Sequence, residues 1–231
     1  MGEQRYSILY SSKTGNTKKL AEKIREVLPE ENCDYFGTEG AKALTSDILY
    51  IGFWTDIGNA DPATLELLKS LKNKKIFLFG TAGFGGSEAY FQQVLGKVKE
   101  SVDESNTVMG EFMCQGKMPQ SVRDRYVMMK EKPNHAPNLD ELIENFDRAL
   151  SHPDNEDLDR LGRIGRGGEK EHETGYSGRQ GENEKWCKTI MFFRSMYFTG
   201  SSFYHCYDYK AESICGDYQS DDKASCRCTG S

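Results

Sequence analysis

Between Tyr6 and Leu150 the chain alternates short, nearly continuous apolar runs with longer stretches in which apolar residues return every three or four positions. Residues 6–10, 48–54, 76–79 and 107–114 are runs of the first kind, and 33–36 is a weaker one. Their length and lack of polar alternation predict strands covered on both faces, with 48–54 central because it is apolar at nearly every position. The intervening segments place Leu20, Ala21, Ile24, Val27 and Leu28 on one helical stripe, then Leu65, Leu68 and Leu71 on a second. A third stripe holds Tyr90, Phe91, Val94, Leu95, Val98 and Val102, and a last one Leu139, Leu142, Ile143, Phe146 and Leu150. Pro29 closes the first helix, and Asp61 followed by Pro62 starts the second. Asn138 with Glu141 makes a capping-box-like start for the last, and a shorter amphipathic helix is expected over residues 119–129. Five strands alternating with helices predict an open parallel α/β sheet with right-handed crossovers. Ligands of such sheets sit at the carboxyl ends of the strands near the switch in strand order, which directs attention to loops 11–17, 54–61 and 80–87.

In the first loop Ser11, Ser12, Lys13, Thr14, Gly15, Asn16 and Thr17 follow the first strand and open the first helix. Backbone N–H groups at a helix N-terminus, joined by hydroxyl donors, hold a phosphate without a balancing cation. The same residues suit an ordinary capped helix start; their place directly after the first strand favours phosphate. Neither a terminal Gly-Lys-Ser/Thr nor a GxGxxG pattern is present, which excludes the common nucleotide-triphosphate and dinucleotide turns. In the second loop Trp54 either covers one face of a planar ring or caps the core. Thr55, Asp56 and Gly58 follow it, Asp56 as a charge beside a ligand or a solvated loop residue, Gly58 as a peptide free to change orientation. The third loop, expected to be flexible, carries Thr81, Ala82, Gly83 and Phe84, the last a weaker ring contact. Cys114 reads as a buried strand-end cysteine rather than an activated thiol, and Lys117 as a ligand contact or a solvated surface residue. No Ser/His/Asp set, fixed carboxylate pair or HExxH motif supports hydrolysis, and no catalytic residue is assigned.

Composition changes the picture near residue 161. The 70 residues from 162 to 231 contain no Leu, Val or Pro but five of the seven cysteines and ten of the 23 glycines. A core-forming domain over 1–161 is therefore expected, followed by a tail that is an out-of-frame translation or a disordered partner-binding extension. Cys187, Cys206, Cys215, Cys226 and Cys228 match no standard zinc spacing, and no metal is expected. The formal net charge of −6 opposes nonspecific nucleic-acid binding, and an acidic surface would suit a basic redox partner. No charged n-region precedes a long apolar segment and no stretch of 18 apolar residues occurs, so a cytoplasmic protein without a membrane span is expected. In that reducing compartment Cys33 and Cys114 are read as small hydrophobes rather than a disulfide.

The pattern Ser12-x-Thr14-Gly15-x-Thr17 resembles the flavodoxin phosphate motif. The resemblance extends through residues 52–58 (GFWTDIG), 79–83 (FGTAG) and 110–117 (GEFMCQGK), which look like a short-chain flavodoxin-domain group. Within it, the chain resembles flavodoxin-like proteins associated with bilirubin reductase. The resemblance covers residues 5–161 and implies strand order 2-1-3-4-5, noncovalent FMN, and electron transfer singly or in pairs. Flavodoxins commonly place a Tyr on the outer flavin face, whereas here the first Tyr after the third loop is Tyr90, expected to lie in the helix. The leading expectation is an electron carrier serving a partner enzyme such as bilirubin reductase. Two others are an FMN-dependent reductase using nicotinamide directly on a quinone, flavin or tetrapyrrole, and a flavin-free interaction module.

Overall fold

The computed structural model describes residues 4–38 and 44–166. The chain runs β1 (Tyr6–Tyr10), α1 (Asn16–Val27), β2 (Cys33–Gly37), β3 (Ile48–Asp56), β4 (Asn59–Ala60) and α2 (Pro62–Ser70). It continues through β5 (Lys75–Ala82), α3 (Glu88–Lys99), β6 (Thr107–Gln115), α4 (Gln120–Lys130), α5 (Leu139–Ala149) and α6 (Asn155–Gly165). The sheet order is β2-β1-β3-β5-β6, with every pair in that path parallel. Counting parallel strands alone, this is the expected 2-1-3-4-5. The two-residue β4 is an addition: it pairs antiparallel with the end of β3, Thr55 opposite Ala60 and Asp56 opposite Asn59.

Period-two alternation divides the core between the sheet's faces. Tyr6, Ile8 and Tyr10 of β1 and Tyr50 of β3 pack with Phe77, Phe79 and Phe112 beneath Leu20, Ala21 and Ile24 of α1. Leu9, Leu49, Ile51 and Phe53 turn to the other face, where Leu68 of α2 and Phe91, Val94, Leu95 and Val98 of α3 cover them. A satellite cluster of Tyr126, Leu139 and Leu142 ties α4 to α5. The Asp61 side chain caps α2 by accepting from Thr64 N at 3.2 Å, as expected. Asn138 stands at the N-cap of α5, but its side chain makes no cap hydrogen bond. Leu150, assigned to the α5 stripe, instead stands at the C-cap of the helix, still in helical conformation, and is 51% exposed.

Helix α6 has no counterpart in the sequence reading and runs past the expected boundary at 161. Asp154 and Asp157 cap it reciprocally: Asp157 N donates to Asp154 Oδ1 at 3.0 Å and Asp154 N to Asp157 Oδ2 at 3.1 Å. Leu161 is fully buried against the α1 face. Tyr50 Oη donates to Gly165 O at 3.1 Å from a ring whose burial pushes its pKa up to about 12. The tail from 167 onward, with its five cysteines, lies outside the described residues.

Candidate functional site

The carboxyl ends of β1, β3 and β5 bring the three loops together. Ser11 N donates to Gly52 O at 2.8 Å, continuing the β1–β3 ladder into the first turn. Gly15 then occupies the N-cap of α1 at φ 85°, a left-handed conformation favoured by glycine, and supplies no side-chain cap. The first-turn N–H groups of Asn16 and Thr17 have no acceptor within the helix. Lys18 N is served by Ser12 Oγ at 3.3 Å. Thr14 is exposed, and its hydroxyl oxygen accepts from Asn16 Nδ2 at 2.8 Å, which leaves the hydroxyl proton available to a ligand. The Asn16 amide also donates to Lys117 O at 2.9 Å, joining the turn to the end of β6, while its buried Oδ1 has no partner among the described residues.

Thr17 behaves differently. Its side chain is fully buried, and its hydroxyl donates to Phe53 O at 3.3 Å and lies 3.1 Å from Thr81 Oγ1. Thr17 can therefore meet a phosphate through its backbone N–H, whereas its hydroxyl fastens α1 to β3 and β5.

Trp54 is half-buried near the end of β3, with Lys13 Nζ 4.7 Å from its ring centroid. Thr55 Oγ1 is buried without a hydrogen-bond partner among the described residues. Asp56 is exposed at the last position of β3. Ile57 and Gly58 follow at φ 46° and 75°, so both central residues of the β3–β4 hairpin are left-handed, as a type I′ turn requires. Ile57 is a costly choice, being β-branched and 75% exposed.

Thr81 and Ala82 are buried as the last residues of β5, so the third loop begins at Gly83. It is not loose. Gly83 O accepts from Asn145 Nδ2 at 3.0 Å and Gln115 Nε2 at 3.3 Å. The Phe84 ring packs edge-on against Tyr126 at 6.4 Å, drawn to the α4–α5 cluster. Tyr90 lies in the first turn of α3, as expected, packed against Gly85. The sequence reading did not weigh Gln115 singly and missed Asn145, although a lone amide at spacing i+3 from Leu142 on an apolar stripe was a readable signal.

Cys114 is buried, and burial pushes its thiol well above the usual range, with the Asp157 charge adding to the rise and Arg160 opposing it; it is no nucleophile. Cys33 is only half-buried, and both cysteines are free. Lys117 is exposed, and its N–H donates to His152 O at 2.9 Å. His152, Asp154 and Asp157 gather close enough to hold a metal, but both carboxylates are engaged in the α6 cap and His152 Nδ1 lies 2.6 Å from Asp157 Oδ2. Among the described residues no helix is long and apolar enough to cross a membrane.

Residues 7–164 match the family described as Flavodoxin domain. The chain is 43% identical over 171 residues to the flavodoxin-like domain-containing protein BilS of Clostridium symbiosum (strain WAL-14163), covering 67% of this chain and 90% of that protein. It is 32% identical over 160 residues to the protein of the same description from Clostridioides difficile (strain CD3), covering 65% and 88%. Among solved structures it is similar to a short-chain flavodoxin associated with a non-canonical PDU bacterial microcompartment, at 17% identity and a TM-score of 0.46, over 71% of this chain and 96% of that one.

Proposed function

From the premise that the chain belongs to the flavodoxin-domain family, we propose that it binds FMN noncovalently and delivers electrons to a partner reductase. The observation that carries this reading is the start of α1. The helix opens at the carboxyl end of β1 with a glycine N-cap that offers no side chain to the N–H groups of Asn16 and Thr17, and with no acidic residue in its first turn. The N–H groups of Asn16 and Thr17 and the Thr14 hydroxyl would hold a phosphate dianion there, with Ser11, Ser12 and Lys13 completing the turn. The donor set fits the group, and so do the buried orphan oxygens Asn16 Oδ1 and Thr55 Oγ1, which ligand hydroxyl or N–H groups would satisfy.

When bound, FMN supplies a carrier that takes up or gives away one or two electrons. With FMN in place, Trp54 would cover one face of the ring, Asp56 and Gly58 would border it, and the segment with Thr81, Ala82, Gly83 and Phe84 would line the other side. The asparagine and threonine hydrogen bonds hold these loops in register. The described fold includes α6, and the described residues include no second unit for a nicotinamide nucleotide. A tetrapyrrole reductase such as bilirubin reductase is the partner class we assign, supported by the resemblance to the BilS proteins. We assign the protein to the cytoplasm, where Cys33 and Cys114, both free among the described residues, would stay reduced.

The test is titration of the purified protein with FMN and riboflavin, followed by NADH or NADPH without oxygen. FMN should bind at least tenfold more tightly than riboflavin, since each hydrogen bond to a charged group is worth about 1.5–3 kcal/mol. Equal affinities would remove the phosphate turn from the site. Bleaching by a nicotinamide nucleotide alone would replace the carrier with a direct reductase.

A further inference from the structure

Asn145 occupies a position that an apolar residue would fill at lower cost. It stands on the buried stripe of α5 with Leu142, Phe146 and Ala149, and it is 1% exposed. A buried amide is tolerated when its polar atoms are bonded, and here both are. Asn145 Nδ2 donates to Gly83 O at 3.0 Å, and Asn145 Oδ1 accepts from Gln115 Nε2 at 3.1 Å. Gln115, the buried last residue of β6, donates to the same Gly83 carbonyl at 3.3 Å. Two side chains from different elements thus close a triangle on one backbone oxygen.

The rest of the segment is cast against the same neighbours. A Cβ at Gly83 would fall 2.4 Å from Met118 Cγ, and one at Gly86 would fall 3.0 Å from Gln115 Oε1. Apolar packing alone would hold the segment near β6 but would not choose the direction of a peptide plane. The double amide clamp does. Because the peptide is planar and trans, a Gly83 carbonyl aimed at Asn145 and Gln115 sends the Phe84 N–H away from them.

We propose that Asn145 and Gln115 are positioning residues for the cofactor: by fixing the Gly83–Phe84 peptide they set the donors that residues 83–86 offer to the polar edge of the flavin. This rests on the FMN reading. Donors aimed at that edge stabilise the electron-rich reduced ring more than the oxidised one, so the clamp raises both affinity and reduction potential.

The experiment uses the full chain with Asn145→Ala and Gln115→Met, the second preserving length and adding no charge. Leu68→Ala serves as a control, a core truncation on α2 that removes none of the hydrogen bonds at Gly83 O. FMN affinity is measured by titration and the potential by equilibration with redox dyes. Both clamp variants should bind FMN about tenfold more weakly, the scale of one lost hydrogen bond. Their potential should fall, by ~59 mV for each tenfold change in relative affinity in a one-electron couple. Leu68→Ala should lose stability and move neither quantity. Clamp variants that fold with wild-type affinity and potential would overturn the inference while FMN binding stands, as would equal shifts in Leu68→Ala. Wild-type protein that takes up no FMN would sink the flavin reading and this inference with it.

Discussion

Replacing Thr17 by Val separates the two jobs that one phosphate-motif threonine could perform. The Thr17 hydroxyl is fully buried, 3.3 Å from Phe53 O and 3.1 Å from Thr81 Oγ1, and Thr81 is itself 4% exposed. Val keeps the shape but removes the hydroxyl, so no cavity offsets the reading. A neutral hydrogen bond contributes about 0.5–1.5 kcal/mol, and a buried group left without its partner costs about 1–3 kcal/mol. The variant should therefore be roughly 1–3 kcal/mol less stable, a fall of about 2–12 °C in Tm for a domain of this size. Its FMN affinity should stay within about threefold of wild type, because the backbone N–H is untouched. Thr14→Ala should do the reverse. Its exposed hydroxyl has only the Asn16 amide as a hydrogen-bond partner among the described residues, so stability should hold while FMN weakens roughly 10- to 100-fold. Urea or thermal unfolding of flavin-free protein and FMN titration read the two effects independently. A Thr17→Val protein with unchanged stability and tenfold weaker FMN would put the hydroxyl on the phosphate and refute the inward assignment.

Trp54→Ala should weaken FMN by about 0.5–1.5 kcal/mol beyond the lost contact area and abolish mutual quenching of flavin and indole fluorescence. A loss of about 3–5 kcal/mol in stability with unchanged FMN affinity would make Trp54 a core residue instead. A chain ended after Arg166 should unfold in urea like the full chain, whereas one ended after Leu161 should be about 1–3 kcal/mol less stable, having lost the Gly165 acceptor of the buried Tyr50 hydroxyl. Indistinguishable midpoints for the two would show that the last turn of α6 holds nothing in place.

The pattern of apolar runs carried the sheet because parallel strands are buried on both faces and read as uninterrupted hydrophobic segments. β1 coincides with its run at Tyr6–Tyr10, all five residues buried. β2, every residue of which is half-buried at the sheet edge, has a correspondingly weak signal. α6 was illegible for a related reason. Its apolar stripe consists of Leu158, Leu161 and Ile164 alone among charged residues and two glycines, and at Gly162 α1 approaches closely: a Cβ there would lie 3.3 Å from both Lys23 and Val27 side chains. The β3–β4 hairpin was hidden by Ile57, a β-branched residue that no turn preference would place at φ 46°. At the site, residue types drew attention to the hydroxyl-rich turn as a cluster but could not tell which hydroxyls face outward, since Thr14 and Thr17 differ only in which side of the helix start they occupy. The glycines of the third loop suggested mobility, yet the side chains that restrain it come from β6 and α5, more than thirty residues away in sequence.

The helix starts explain how such a site coexists with a stable fold. α2, α3 and α6 are capped by Asp61, Ser87 and Asp154, each accepting a backbone N–H at 3.0–3.3 Å. An acidic or hydroxyl cap of that kind at Gly15 would stabilise α1 by about 0.5–2 kcal/mol in the flavin-free protein. Such a cap accepts from the third N–H of the helix, which at α1 is Lys18 N, already served by Ser12 Oγ at 3.3 Å, and an acid there would add a like charge beside a phosphate dianion. The stability forgone at the N-cap is recovered around it by neutral groups: Thr17 bonded to β3 and β5, and Asn16 to Thr14 and the end of β6. Neutral ties hold the turn without cancelling the positive field of the helix start. Replacing any of them with a carboxylate would preserve geometry at the expense of that field, which is why the fastening and the binding surface are built from hydroxyls and amides.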